Sequence, residues 1–174
     1  MQEGESRSVS GIIRIEQQIT IDAPPARVFE ALTKQISAWW GHPYVVGKGA
    51  KDLIVEPKVG GRVYEDWGNG AGALWGTVTG LKKPEHIEWT GRLGMGGAVV
   101  GVVAYNLEAR GKGTLLKLSH RASGEVTPDT ERNYGGGWQD LLGTRLRAFV
   151  ERGERQGFRK GVARKTIQKT TRKR

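Results

Sequence analysis

His120 is the side chain best placed to do chemistry. It ends the alternating run Thr114, Leu116, Leu118, His120, and a period of two puts all four on the apolar face of one strand. A neutral imidazole there could donate to a ligand carbonyl or act as general acid or base. The alternative is a buried histidine satisfied by backbone at the strand end. Glu65 and Asp66 are the acidic candidates. Neighbours on a strand point to opposite faces, so they cannot work as a carboxylate pair. Whichever faces inward needs a partner, with Arg62 or Arg92 the cations at hand; otherwise it is a solvated carboxylate opposite an inward aromatic. His42 and His86 lie near loops, with no ligand spacing to each other or to His120, so neither a metal site nor a cofactor is expected. Gly94-Met95-Gly96-Gly97 precedes a strand and not a helix, which argues against a phosphate cradle, and no Ser/His/Asp signature is present.

Aromatic side chains supply the remaining site material. Six tryptophans and four tyrosines are present, and Trp39, Trp40, Trp75, Trp89 and Trp138 each read either as core or as the wall of an apolar pocket. Together with Tyr64, Tyr105, Leu118, His120 and Leu142 they make the candidate ligand-binding set, suited to a small apolar or aromatic molecule.

Charge is concentrated at one end. Of 28 basic residues, ten lie between Arg152 and Arg174 against the single acid Glu154, a charge of +9 that leaves +1 for the rest of the chain. Arg159, Lys160, Arg164, Lys165, Lys169, Arg172, Lys173 and Arg174 form the candidate polyanion-binding segment, for nucleic acid or ribosome. A solubilising extension or an address signal is the alternative. Few apolar residues follow Gly157, so disorder is expected from residue 153 onward. With no cysteine, disulfides, thiolate nucleophiles, iron-sulfur clusters and cysteine zinc sites drop out. The longest apolar run, Ala98 to Tyr105, is well short of the roughly 18 residues that span a bilayer. The polar, acidic opening Met1 to Ser6 lacks the pattern of a secretory leader, and the expected location is the cytoplasm.

The elements that must hold these side chains are legible from period and punctuation. Ile12 to Ile21 alternates as a half-buried strand; Asp22-Ala23-Pro24-Pro25 then leads into a short helix reaching about Thr33, and Ile36, Trp39 and Trp40 suggest a further helical turn. Turn signals recur every eight to twelve residues up to about Arg121, bounding six strand-like runs with links too short for crossover helices. Thr127-Pro128-Asp129 opens a long helix with Tyr134, Trp138, Leu142, Leu146 and Val150 at i, i+4 spacing. Gly135-Gly136-Gly137 within it either breaks the helix before Trp138 or leaves room against its apolar face.

That order resembles the START-like superfamily often called SRPBCC, and within it the bacterial relatives of the C-terminal domain of the activator of the ninety-kilodalton heat-shock protein ATPase. The resemblance is carried by Ile21-Asp22-Ala23-Pro24 through Val28-Phe29-Glu30-Ala31-Leu32-Thr33, Trp39-Trp40-Gly41, Val59-Gly60-Gly61-Arg62, Pro84 through Thr90, Gly113 through His120, and Gly137-Trp138 with Leu141 and Leu142. It spans about Ile12 to Arg152. It implies an α+β helix-grip fold: a curved antiparallel sheet of six to seven strands around a long C-terminal helix, two short helices after the first strand, and a cavity between sheet and helix. Residues 1–11 and 153–174 would flank the domain at 12–152. Members of the superfamily bind lipids, hormones and polyketides, and a minority are cyclases or aromatases. The reading is a ligand-binding module. The alternatives are a cyclase or dehydratase using His120 and a carboxylate such as Glu65, a polyanion binder acting through the tail, and last a chaperone ATPase activator, which the absence of the co-chaperone's separate N-terminal domain puts in doubt. Oligomeric state stays open.

Overall fold

The computed structural model describes residues 10–158. Strand β1 (Gly11–Ile21) buries Ile13, Ile15, Ile19 and Ile21 and turns Arg14, Glu16 and Gln18 outward, as a period of two requires. Helix α1 (Pro25–Leu32) follows, with proline in its first turn and Val28, Phe29, Ala31 and Leu32 buried. A single 3₁₀ turn, Ile36–Ala38, delivers Trp39 and Trp40 to the core.

Six more strands complete one sheet: β2 (Asp52–Val55), β3 (Arg62–Gly68), β4 (Ala71–Lys82), β5 (His86–Gly91), β6 (Val99–Arg110) and β7 (Gly113–Gly124). Their order is β1-β7-β6-β5-β4-β3-β2, all antiparallel, so β2 to β7 are a meander and β1 closes against the last strand. Register shifts in β3/β4 and β4/β5 bend the sheet. Edge strand β2 is blunted locally, because the Ser37 hydroxyl donates to the Leu53 carbonyl at 2.8 Å and accepts from the Leu53 N–H at 3.0 Å.

The C-terminal helix packs across the inner face. It opens as α2 (Pro128–Trp138) behind a reciprocal cap, in which the Thr127 hydroxyl accepts from Thr130 N–H while the Thr130 hydroxyl accepts from Thr127 N–H. The three glycines do not break it. After Trp138 the bonding changes to i→i+5 over Gln139–Leu146 and returns to α-helical in α3 (Arg147–Arg152), which ends at Gly153 in the left-handed region. The strict spacing of four explains this. In an ideal α-helix each such step overshoots a full turn by about 40°, so the row from Tyr134 to Val150 would wind off the core; a wider-wound segment in the middle brings Leu142 and Leu146 back, both fully buried.

One expected boundary moves. The chain does not leave the fold at residue 153: Gln156 and Gly157 N–H groups donate to the Ala38 carbonyl at 3.2 and 3.0 Å, and Phe158 packs against the core beside His42. Gly157 permits this approach, since a Cβ there would meet the carbonyl oxygens of Ser37 and, at 2.6 Å, Trp40. The candidate polyanion residues Arg159, Lys160, Arg164, Lys165, Lys169, Arg172, Lys173 and Arg174 lie outside the described residues, as does most of the expected N-terminal segment. Among the described residues no helix is long and apolar enough to cross a membrane.

Candidate functional site

A cavity of about 200 Å³ opens between the start of the C-terminal helix, the loop after the 3₁₀ turn and the near end of β4. Trp40, Trp75 and Trp138 form its aromatic walls. Trp40 stands edge-on to both others, with ring centroids 5.4 Å away in each case, the edge-to-face geometry that aromatic quadrupoles favour. Tyr134, Gly137 and Leu141 come from the helix, Pro43, Tyr44 and Val45 from the loop, and Leu93 and Gly94 from the β5–β6 turn.

The loop wall is tied down on three sides. Trp40 Nε1 donates to the Tyr44 carbonyl at 2.7 Å, the Tyr44 hydroxyl donates to Asp140 at 2.9 Å, and Arg145 spans Asp140 and the His42 carbonyl at 3.0 and 3.1 Å. Partial burial, with the Asp140 carboxylate beside it, raises the Tyr44 phenol above its ordinary pKa.

Glu65 supplies a further tie. It is fully buried on the inner face of β3, and its carboxylate accepts four hydrogen bonds: Val46 N–H at 2.5 Å and Trp75 Nε1–H at 3.0 Å on one oxygen, Gly47 N–H at 3.0 Å and Trp67 Nε1–H at 2.9 Å on the other. The expectation of an arginine partner is corrected by this geometry. Arg62 reaches out to Glu56 at 2.6 Å and Arg92 to the Gly97 carbonyl at 2.9 Å, while neutral N–H donors satisfy the buried charge. Every lone-pair direction of Glu65 is engaged, so it positions Trp75 and the loop and has no free acceptor for a substrate proton. Gly47 makes room for this, because a Cβ there would sit 2.6 Å from Trp67 Cζ2.

Tyr64 is a further correction. With Glu65 inward, its neighbour must face out, and its half-buried ring lies under the Arg62 guanidinium at 4.5 Å, on the opposite side of the sheet from the cavity.

His120 is fully buried beneath Trp138 and Tyr134, with centroids 5.8 and 5.7 Å away. Trp138 Nε1 donates to His120 Nδ1 at 2.8 Å, so the neutral ring carries its proton on Nε2. Burial lowers its pKa from 6.5 to about 4, and it is uncharged at neutral pH.

The structure thus divides the candidate ligand set. Trp40, Trp75 and Trp138 line the cavity. Trp89, Tyr105, Leu118, His120 and Leu142 lie deeper, in the packed inner layer, and Trp39 is a core residue whose Nε1 donates to the Ala31 carbonyl at 2.9 Å. Sequence reasoning missed Tyr44 and Val45, which sit in an aperiodic loop, and it passed over Trp67. Tyr134 could have been found, since it begins the helix's apolar row. His42 and His86 are far apart in role, the first against Phe158 and the second hydrogen-bonded to Asn106 at 2.8 Å on the surface. Among the described residues no cluster of three or more histidine and acidic side chains could hold a metal ion.

Residues 22–151 match the family model described as Activator of Hsp90 ATPase homolog 1-like protein. No curated protein matches the chain. Among solved structures, DynU16 from the dynemicin biosynthetic locus superposes with a TM-score of 0.61 at 21% identity, covering 83% of this chain and 49% of its own, so the chain spans about half of that protein. The Aha1 dimer of Colwellia psychrerythraea gives 0.60 at 22% identity over 81% of this chain and 98% of that one. The protein CV1439 of Chromobacterium violaceum gives 0.59 at 23% over 79% and 96%. At these identities the likeness is one of fold.

Proposed function

The chain belongs to the family of Activator of Hsp90 ATPase homolog 1-like proteins, and from that premise we propose that it is a binding module for a small apolar or aromatic molecule. The observation that carries this reading is the cavity walled by Trp40, Trp75 and Trp138 under the C-terminal helix. Concave sites with apolar walls and few polar groups are the usual form of small-molecule pockets, and at about 200 Å³ this one suits a guest of one or two rings. The three rings offer edges and faces against which a flat guest can stack. Loop ties through Glu65 and Asp140 hold the loop wall of the pocket in place before a guest arrives.

A cyclase or dehydratase reading has less support. Glu65 is saturated by donors and His120 is covered by Trp138, which leaves neither candidate free to exchange a proton with a guest in the cavity as it stands.

Native mass spectrometry of the full chain, purified gently from its host, tests the binding reading. A small non-covalent adduct that is lost in Trp40→Ala or Trp75→Ala is the expected result. A clean apo mass, together with no tryptophan fluorescence response to a panel of one- and two-ring aromatics, would refute it.

We propose further that the segment after Phe158 is a separate polyanion-binding element. Its support is the segregation of charge, with eight basic residues and no acid from Arg159 to Arg174.

A further inference from the structure

Trp89 Nε1, Tyr105 Oη and His120 Nε2 are buried without a hydrogen-bond partner in the protein, and they are neighbours. Trp89, Val103 and His120 stand directly opposite one another across β5, β6 and β7. Tyr105 is two residues along β6 from Val103, diagonal to both, and its ring meets Trp89 at 5.3 Å. A fourth such atom, Gln17 Oε1, belongs to the next row, where Gln17 faces Leu118 and Leu118 faces Tyr105. Trp89, Tyr105 and His120 are at most 1% exposed.

Buried polar atoms are nearly always paired, so several adjacent exceptions in an otherwise apolar interior point to a guest that pairs them. Their chemistry describes that guest. Trp89 Nε1–H can only donate; the neutral His120 imidazole offers one donor and one acceptor, the donor being Nε2 while Nδ1 accepts from Trp138; Tyr105 can do either. Donors outnumber acceptors, and the complement of such a set is an oxygen with two lone pairs.

One layer separates this group from the cavity. The Trp138 ring meets one cavity-lining ring, Trp40 at 5.4 Å, and two rings outside the lining, His120 at 5.8 Å and Tyr105 at 6.1 Å. It stands directly after three glycines and at the entry to the i→i+5 segment, where helical bonding is least regular. Added Cβ atoms at Gly135 and Gly136 would meet nothing within 4 Å, so side chains do not crowd that turn, whose tie to β1 is the hydrogen bond from Gln17 Nε2 to the Gly135 carbonyl at 2.8 Å.

We propose that Trp89, Tyr105 and His120 form the polar end of the ligand site, with Trp138 as a movable partition, and that the ligand is an aromatic ketone or phenol whose oxygen they bind while its ring fills the cavity. This rests on the binding-module reading above and adds the class of ligand to it.

Indane and 1-indanone test it, since they differ by one carbonyl on the same two-ring skeleton. Their affinities for the full-length protein and for Tyr105→Phe and Trp89→Phe are measured by calorimetry, with the bound carbonyl stretch read by infrared difference spectroscopy. The expected result is at least tenfold tighter binding of the ketone, a lowered carbonyl frequency on binding, and loss of most of the preference in either variant. Equal affinity for the two probes would overturn the inference and leave the binding reading standing. A ketone preference unchanged in both variants would also overturn it, because the oxygen would then be recognised elsewhere. Binding of neither probe, nor of the wider aromatic panel, would overturn both. The same arms answer the rival idea that these groups hold only internal water, which predicts no discrimination between the probes.

Discussion

Trp138 Nε1 donates to His120 Nδ1 at 2.8 Å, a bond that joins the C-terminal helix to the inner face of β7 and sets the tautomer of the only fully buried histidine among the described residues. The bond needs an unprotonated Nδ1. A charged imidazole would face an indole N–H with two donors opposed, inside an apolar layer.

Stability should therefore depend on pH through this residue. The folded pKa of about 4 lies below the ordinary 6.5, so the unfolded chain binds the proton first. The contribution is complete above about pH 6.5 and is lost as pH falls toward 4. The tyrosines packed on the ring, Tyr105 and Tyr134, have pKa values raised by burial and stay neutral throughout. A shift of this size corresponds to roughly 3 kcal/mol. Urea denaturation from pH 7 to 4 should show that fall, and His120→Leu should remove most of its slope; an equally steep variant would contradict this origin.

Glu65→Gln should cost about 2–4 kcal/mol. The amide nitrogen would point a donor at two of the four N–H groups that now converge on the carboxylate. Chemical denaturation measures the loss. Because Trp75 and Trp67 are both held by Glu65, a changed tryptophan emission spectrum of the folded variant should accompany it.

Gly136→Ala should stabilise the protein by about 0.5–1 kcal/mol. The glycine is inside α2 and an added methyl meets nothing within 4 Å, so the helix gains propensity without a clash. A lowered Tm would show that the open turn is needed in the folded state.

Gly157→Ala should release residues 153–158 from the 3₁₀ turn. A methyl group would press on the carbonyls of Ser37 and Trp40, where Gly157 N–H now bonds Ala38. Trypsin cleavage after Arg155 should accelerate strongly while the body of the domain stays intact; unchanged cleavage would show that the contact is dispensable.

Truncation after Phe158 should abolish nucleic acid binding and its salt dependence, each phosphate contact contributing about −0.9 to the slope of log K against log salt. The cut belongs there and not at Gly153, because the intervening residues are packed on the fold. Filter binding over a salt series decides it, and binding that survives the cut would exclude the tail.

The alternation of Thr114, Leu116, Leu118 and His120, the glycine-punctuated meander and the Thr127-Pro128 helix start were legible in the sequence, because period and capping are local properties. So was the opposition of Glu65 and Asp66. Which of two neighbours faces inward was not: Tyr64 and Glu65 were both candidates for one face, and only the packing of β3, next to a register shift at Val63/Tyr64, decided for Glu65. Its donors come from 19, 18, 2 and 10 residues away, two in a loop without pattern, one on the same strand and one on the next. Likewise, the aromatic residues announced themselves by composition, but whether a ring lines a cavity or fills the core depends on which side chains meet it from elsewhere in the chain. Local sequence determines the phase of each element; the distances between elements, and with them the site, exist only once the chain has folded.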